Sequence, residues 1–489
     1  MEIISEETTA RQLIIMGNGF DLLCGLRTRY QDYFNYRFGI NLKKQIEQFN
    51  YSEKDFKIAL RKELYNYFKI IDNFPGSHYY SFNDLTPRKI TIEKLEIVKE
   101  LETFFKGFLR NLKKKISNNI NISDKETYRA QLKEIEQIHF NKWDVIFLLT
   151  GCFLSDNSLV QWNDVETVIF KVVSTILGDS EKEYFNDCTF NDDERAYRYL
   201  IDGIKNCFLD NEEDSDKDKV ASEMLNQLRI FESNFANYIR KEVTSNSAQY
   251  YRIASKVINK LLHVNLHTFV DVLTFNYSLG PQVVRQVEKE FNDCHFDEKI
   301  ELIINSWSNI HGIAFYDDKN FLDWLRFSKL GMGSNIKLQI PAPIFGIDNH
   351  DILTPDQDGN FNFDDSRSIF TKSFRLMDNH VNSIRNNTFQ DKINVITFIG
   401  HSLNQADYSY FESIFDQYDI FHSNVKLEFY YYPGNITSNN SESERKAMKN
   451  IVRLLTSYGS TLKNEHGENI VNKLMLEQRL SVIPNPTVK

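Results

Sequence analysis

Residues 13–21 have the sequence LIIMGNGFD, an apolar run that leads directly into a Gly-x-Gly turn. Such a run is typical of the first strand and phosphate-binding turn of a nucleotide-binding α/β fold. Gly17 would allow a tight turn, Gly19 would let a ligand approach the backbone, and the first N–H groups of the next helix would face an anion. A strand-to-helix turn that binds no ligand uses the same residues, so both interpretations stay open.

Further strand-like segments occur only after about residue 265. They are β-branched or aromatic and nearly continuously apolar, which is typical of buried parallel strands. The predicted strands are 270–275, 340–347, 395–399 and 425–432.

The chain between residues 41 and 263 is different, because its pattern is long, charged and mostly helical. The sequence therefore predicts an open, mostly parallel, Rossmann-like α/β sheet flanked by helices and interrupted by a large, mainly helical insertion. Residues 1–40 and 265–489 would form the discontinuous nucleotide-binding domain, and residues 41–264 the insertion.

Composition narrows the class of protein. The 489 residues carry a net charge of −10, which argues against a general nucleic-acid or anionic-membrane binder. The five cysteines form no C-x-x-C pair, so no zinc ribbon is expected. We expect the cysteines to be reduced thiols. The start lacks a signal-peptide pattern, and no apolar run approaches the roughly 20 residues of a membrane helix. We expect a cytoplasmic protein without a membrane span.

Two polar residues stand where predicted strands or short apolar runs end. Asn276 ends the run LTFNYS (residues 273–278), and its amide can both donate and accept hydrogen bonds. His311 lies in NIHG (residues 309–312), and histidine is the side chain best suited to proton transfer near neutral pH. Each also has a purely structural interpretation: a turn-forming asparagine and a hydrogen-bonded core histidine.

A third motif, FIGHSLNQAD (residues 398–407), takes a buried strand into Gly400, Ser402 and then a helix. Asp407 would cap that helix or hold a ribose hydroxyl. The motif lacks the second glycine of a hydrolase nucleophile elbow. In the insertion, WNDVE (residues 162–166) places Asp164 and Glu166 where they would favour a helix start, with Trp162 packed against the sheet domain.

Taken in order, these segments resemble the AbiH family of bacterial abortive-infection proteins. The resemblance rests on GNGFDLLCGLRTRYQDYF from residue 17, WNDVE, TFNYS, NIHG and IGHSLNQAD, and it spans nearly the whole chain. It implies a role in defence against phage.

The same order is similar, more distantly, to the sirtuin-like domains of anti-phage NAD hydrolases. That similarity implies NAD as the substrate and assigns roles to this chain's residues. His311 would be the base, and Asn276 would hold the ribose hydroxyls or the attacking water. The segment Gly17, Asn18, Gly19, Phe20 and Asp21 would hold the pyrophosphate, and Gly400, Ser402 and Asp407 would complete the pocket on the adenosine side.

Departures from the sirtuin pattern also matter. Asn18 replaces an alanine, and Asp21 stands where sirtuins have serine, which puts a negative charge near the expected phosphate turn. The four zinc cysteines of deacylating sirtuins are absent, which disfavours deacylation and leaves NAD cleavage, or NAD binding without turnover. No metal is expected.

The leading hypothesis is an effector that cleaves NAD between nicotinamide and ribose. The first alternative is a nucleotide-sensing or protein-interaction module without hydrolysis. The second is a nuclease, although no clustered metal carboxylates support it. Because an unregulated NAD hydrolase would harm its own cell, we expect an inactive resting state. The resemblance to sirtuin-like defence enzymes also implies a homo-oligomer.

Overall fold

The computed structural model describes most of the chain. The described residues are 9–38, 58–66, 78–81, 84–89, 97–118, 133, 135–155, 164–179, 182–190, 194–209, 216–295, 300–314, 344–352, 364–379, 389–404, 407–434, 440–462 and 466–487.

Six strands form one sheet and two form a hairpin. The strands are β1 (Thr9–Met16), β2 (His78–Ser81), β3 (Asp84–Lys89), β4 (His267–Thr274), β5 (Glu301–Asn309), β6 (Val395–Ile399), β7 (Lys426–Tyr431) and β8 (Leu480–Pro484). The order in the sheet is β5-β4-β1-β6-β7-β8, and every neighbouring pair is parallel. Strands β2 and β3 pair antiparallel.

Helices flank the sheet and fill the insertion. They are α1 (Asn18–Leu23), α2 (Tyr30–Arg37), α3 (Ile97–Asn118), α4 (Lys142–Phe153), α5 (Val165–Leu177), α6 (Glu194–Phe208), α7 (Lys217–Leu261), α8 (Val284–Cys294), α9 (Asn349–Ile352), α10 (Lys372–Asp378), α11 (Tyr408–Gln417), α12 (Asn440–Gly459) and α13 (Ile470–Leu476).

Strand β1 lies inside the sheet between two neighbours. Its last five residues are fully buried, which explains why four of them, residues 13–16, are apolar on both faces. Met16 at its end pairs with Thr274 of β4 and Ile399 of β6. The carboxyl ends of these three strands therefore coincide, as they must in a parallel sheet.

The predicted α/β class with an open parallel sheet and a large helical insertion is confirmed. The segments 13–16, 270–275, 395–399 and 425–432 contain or overlap the strands β1, β4, β6 and β7. The hairpin β2–β3 within the insertion was not predicted.

The predicted strand 340–347 is wrong in its described part. Residues 340–343 lie outside the described residues, and residues 344–347 form only a single bridge, between Ile347 and Thr371. Strands β5 and β8 form the two edges of the sheet and were not predicted.

The chain divides into two compact units. The sheet unit comprises Met1–Arg29, Glu232–Asn362 and Thr371–Lys489, and the helical unit comprises Tyr30–Phe231 and Phe363–Phe370. Residues of α7 from Glu232 onward belong to the sheet unit.

Aromatic side chains form the core of the helical unit. The rings of Phe147 and Phe231 stack with centroids 4.9 Å apart, and Phe34 packs 5.1 Å from Phe147. Helix α4 begins with a capping box in which Asn141 and Asp144 satisfy each other's backbone N–H groups.

The helix start predicted from Asp164 and Glu166 is confirmed. Helix α5 begins at Val165 directly after Asp164, although the Asp164 side chain makes no capping hydrogen bond. Trp162 lies outside the described residues.

Candidate functional site

The ends of four parallel strands and the turns that follow them meet at one edge of the sheet. Gly17 follows β1 and donates its N–H to the carbonyl of Ile399 at 2.9 Å. Phe275 follows β4 and donates to Met16, also at 2.9 Å, and Ile310 after β5 donates to Thr274 at 3.0 Å. These bonds place the segments of Gly17, Asn276, His311 and Gly400 beside one another.

The glycines of the two turns pack backbone against backbone. Gly19 donates its N–H to the carbonyl of Gly400 at 2.7 Å. A Cβ on Gly19 would lie 2.7 Å from that oxygen, and a Cβ on Gly400 would lie 2.1 Å from the nitrogen of Phe20. Gly400 also has φ +67°, which disfavours any residue with a Cβ. The glycines are thus needed for the contact between the two turns.

Gly17 is needed for space and not for a special backbone conformation. Its φ of −114° is ordinary extended backbone, but a Cβ there would lie 2.5 Å from the Cα of His401. Because β1 ends at Met16 and α1 begins at Asn18, Gly17 does form the expected tight strand-to-helix turn, in an extended conformation. The N–H groups of Gly17 and Gly19, assigned from sequence to a pyrophosphate, are donated to Ile399 and Gly400.

Asn18 and Phe20 fasten the first turn to its surroundings. The Asn18 side chain donates to the carbonyl of Thr28 at 3.1 Å and accepts from the Thr28 hydroxyl at 2.6 Å, while Asn18 itself stays exposed. Phe20 is fully buried in the core. Of these two, Asn18 is therefore the one that faces solvent.

Asp21 is turned away from the exposed side of the turn and is buried. Its carboxylate accepts hydrogen bonds from the Tyr250 hydroxyl at 2.6 Å, from the Asn276 amide at 3.2 Å and from the Ser278 hydroxyl. Burial raises the pKa of Asp21 to about 6, although hydrogen bonds from Ser278, Tyr250 and Asn276 lower it. The acidic residue fits beside the turn because its buried carboxylate binds Asn276 and Ser278, which follow β4.

Asn276 is fixed by three hydrogen bonds. Its side-chain NH₂ donates to Asp21, its backbone N–H donates to the Thr274 hydroxyl at 3.0 Å, and its carbonyl accepts from Asn309 at 3.1 Å. Because the NH₂ group faces Asp21, the orientation of the amide follows from the network. Its oxygen Oδ1 is buried and has no hydrogen-bond partner among the described residues.

His311 is buried among aromatic rings. The centroids of Phe275, Tyr277 and Tyr410 lie 5.3, 6.4 and 5.6 Å from its ring. Its Nε2 lies 3.9 Å from Asp407 and has no hydrogen-bond partner in the described part of the chain. Burial, followed by the charge of Lys372, lowers the pKa of His311 to about 3 against the opposing effect of Asp407. The imidazole is therefore neutral at physiological pH.

Asp407 joins the two histidines of the site to a lysine. One carboxylate oxygen lies 2.5 Å from Nζ of Lys372, and the other lies 3.3 Å from Nε2 of His401. Burial raises the pKa of Asp407, but the charge of Lys372 and the hydrogen bond and charge of His401 outweigh it and hold that pKa well below its usual range. Asp407 occupies the cap position of α11 but makes no capping bond, so the predicted cap is wrong.

The orientation of His401 follows from its two neighbours. Its Nδ1 accepts the backbone N–H of Leu403 at 3.0 Å, so in the neutral ring the proton is on Nε2, which faces Asp407. The Phe275 ring lies 4.6 Å from the His401 ring and so contacts both histidines.

Not every predicted residue joins this cluster. Ser402 is exposed, and its backbone carbonyl accepts from the Asn450 side chain at 3.2 Å. The sequence did not point to His401, Ser278, Lys372 or Tyr250. The first two stand inside quoted motifs and could have been singled out. Lys372 and Tyr250 come from helices whose pattern carries no such signal.

A separate cavity of 1490 Å³ lies at the opposite, amino-terminal ends of the strands. Its lining includes Arg11, His263, Lys392 and Glu428 and none of the predicted site residues. Its size alone does not make it the functional site, because the buried polar atoms without partners at Asn276 and His311 lie at the other end of the strands.

Two further properties concern the described part of the chain. None of its helices combines the length and apolarity that crossing a lipid bilayer requires. No group of three or more His, Cys, Asp or Glu side chains there is arranged to hold a metal ion.

Residues 13–431 match the model of the family described as Bacteriophage abortive infection AbiH. Neither the curated proteins nor the solved structures contain a significant match.

Proposed function

We propose that this chain, which belongs to the bacteriophage abortive infection family AbiH, binds NAD in its sheet unit and cleaves the bond between nicotinamide and ribose. One observation carries the proposal. Asn276 and His311 each present a buried polar atom without a partner among the described residues, at the strand ends where an open α/β sheet binds ligands.

The two atoms suit the chemistry. Cleavage passes through a ribosyl cation, so the site needs a group that holds the ribose and a base for water or a ribose hydroxyl. Oδ1 of Asn276 can only accept hydrogen bonds, which fits a hydroxyl or a water molecule. Neutral His311 can take the proton, and the nearby carboxylate of Asp407 would stabilise the resulting imidazolium.

The nucleotide contacts away from the reacting bond are part of the proposal. Gly17–Asp21 and Gly400 would lie beside the pyrophosphate, with the exposed Asn18 as the side chain that a ligand reaches. Ser402, which is exposed, would face the adenosine side. We assign Asp407 to the reacting centre and not, as the sequence suggested, to the adenosine side. The reason is that its carboxylate lies near both histidines.

The test is to incubate the purified protein with NAD and to follow nicotinamide and ADP-ribose by chromatography. Binding of NAD and ADP-ribose is measured in parallel by calorimetry. Release of nicotinamide supports the proposal, and protein that neither binds nor cleaves NAD overturns it.

A specific observation favours the alternative, a module that senses a nucleotide without hydrolysing it. The N–H groups of Gly17 and Gly19 are already donated within the protein, and a histidine with a pKa near 3 is a weak base. Saturable binding of NAD or ADP-ribose without release of nicotinamide would establish this alternative.

We further propose that the activity is held off until infection and that the protein is a homo-oligomer. Light scattering coupled to size-exclusion chromatography measures the mass of the particle, and a monomer of 57.6 kDa would contradict the second part. Complete NAD loss in uninfected cells at modest expression would contradict the first.

A further inference from the structure

Lys372 forms a buried ion pair with Asp407 but takes no direct part in the proposed reaction. We propose that Lys372 is a positioning residue of this site: its ammonium holds Asp407 and so leaves the His311 imidazole neutral, with Nε2 making no hydrogen bond to that carboxylate. The inference rests on the proposed function only in taking His311 as the base of the reaction.

The distances show how Asp407 is shared. Its Oδ1 lies 2.5 Å from Lys372 but 3.9 Å from Nε2 of His311, so Lys372 has the closer contact with that oxygen. Oδ2 faces His401 at 3.3 Å. The carboxylate thus contacts Lys372 and His401 more closely, and His311 donates no hydrogen bond to it.

Lys372 is held where it can do this. It follows the cap residue Thr371 at the start of α10, and its backbone N–H donates to Ile347 at 2.9 Å. A Cβ on Gly346 would lie 2.8 Å from Cγ of Lys372, so the glycine makes room for the lysine stem. Lys372 is only 3% exposed. Its ammonium therefore cannot leave Asp407 for water without a change in packing.

Several charged groups of the described residues act on the cluster. Lys372, Asp407 and His401 are the groups whose charges act on His311. Asp351 on α9 interacts electrostatically with Lys372, and also with Asp348 and His350. The aromatic residues Phe275, Tyr277 and Tyr410, described above, form the apolar wall around His311.

Removing the ammonium should change the charge of the histidine. A buried carboxylate that loses its cation is strongly destabilised, and protonation of a neighbouring group compensates for the loss. The repulsion from Lys372 then disappears and no longer offsets the attraction of Asp407, so His311 binds a proton more readily.

The experiment is an NMR titration of the full-length protein with ¹³C-labelled histidine, with the His311 signal assigned from His311→Gln. In the wild type, the His311 signal should keep its neutral position from pH 8 to pH 5. In Lys372→Met, protonated His311 at pH 5 should rise by about tenfold or more, which equals a shift of about one pH unit. Lys372→Arg, which keeps the charge, should resemble the wild type.

Three results would overturn the inference. One is a wild-type His311 that already titrates near pH 6.5, which needs no variant at all. The others are an unchanged His311 titration in Lys372→Met and an equal change in Lys372→Arg. Lys372→Gln replaces Lys372→Met if the latter does not fold. Because the titration uses no NAD, failure of this inference is distinguishable from failure of the NAD proposal.

Discussion

Asp21 and Asn276 lie 255 residues apart in the chain, yet the Asn276 side chain donates a 3.2 Å hydrogen bond to the Asp21 carboxylate. The bond joins the helix after β1 to the end of β4 and fixes which way the Asn276 amide points. Asp21, from the motif that follows β1, is buried and therefore orients Asn276, which belongs to a different motif.

Asp21 should make stability depend on pH in an unusual direction. Its pKa is about 6 in the folded protein and 3.8 as a model value, so the folded state binds more protons between these values. Its contribution is fully present below pH 4 and is lost as pH rises through 6, by about 3 kcal/mol. Urea unfolding from pH 4 to pH 7 should show the wild type losing stability relative to Asp21→Asn. A difference that stays constant with pH would contradict this.

Tyr250→Phe is the informative companion variant. It removes one of the hydrogen bonds that stabilise the ionised carboxylate, so the pKa of Asp21 should rise further. The loss of stability with rising pH should then extend to higher pH than in the wild type.

His311→Ala and Asn276→Ala should each abolish NAD cleavage while leaving the protein folded. A positioned acid–base group contributes roughly 100- to 10,000-fold in rate, so the effect should be clear in a nicotinamide assay. His466→Ala, which changes an 88% exposed histidine, is the matched control. Near-wild-type turnover in His311→Ala would favour the nucleotide-sensing alternative.

Gly400→Ala should destabilise the protein by about 3 kcal/mol or more, from backbone strain at positive φ together with a clash at the Phe20 nitrogen. Gly25→Ala is the control, because Gly25 has φ +91° but nothing within 4 Å of its added Cβ. It should cost only about 1–2 kcal/mol. Equal losses in the two variants, measured by urea unfolding, would show that the contact between the turns is unimportant.

Breaking the buried ion pair between Glu232 and Arg375 should be costly. The pair is joined at 2.7 Å, and Arg375 is completely buried. Glu232→Gln or Arg375→Met should each lose about 3–5 kcal/mol, because each leaves a charge buried without its partner. The double variant should lose less than the sum of the two. Lys219→Met, in an exposed pair with Asp216, is the control and should change stability by under about 1 kcal/mol.

The sequence predicted the apolar strands of the sheet and missed the polar strand β5 and the short strand β8. Strand β5 carries Asn305 and Ser306, which donate to the buried carboxylate of Asp271 at 2.7 and 2.6 Å. These side chains are satisfied by a residue of the neighbouring strand, so burial does not require them to be apolar. A hydrophobic pattern cannot reveal such a strand. The short edge strand β8 is half-exposed and gives a similarly weak signal.

The candidate site divides in the same way. Asn276, His311 and Asp407 could be singled out because each lies in a short motif near the end of a strand. Lys372 and Tyr250 could not, because they lie in helices and reach the site only through tertiary packing. Their identity depends on which helix packs over which strand end, and that information is not local in the chain.

The place of β1 in the sheet has a consequence for synthesis on the ribosome. This strand is made first, but its neighbours β4 and β6 begin only at His267 and Val395. At roughly 5–20 residues per second, translation needs on the order of 10–50 s to reach the first of them. During that time the nascent apolar run at residues 13–16 has no strand to pair with. Chaperones that bind emerging chains therefore have a long window in which to act before the sheet can close.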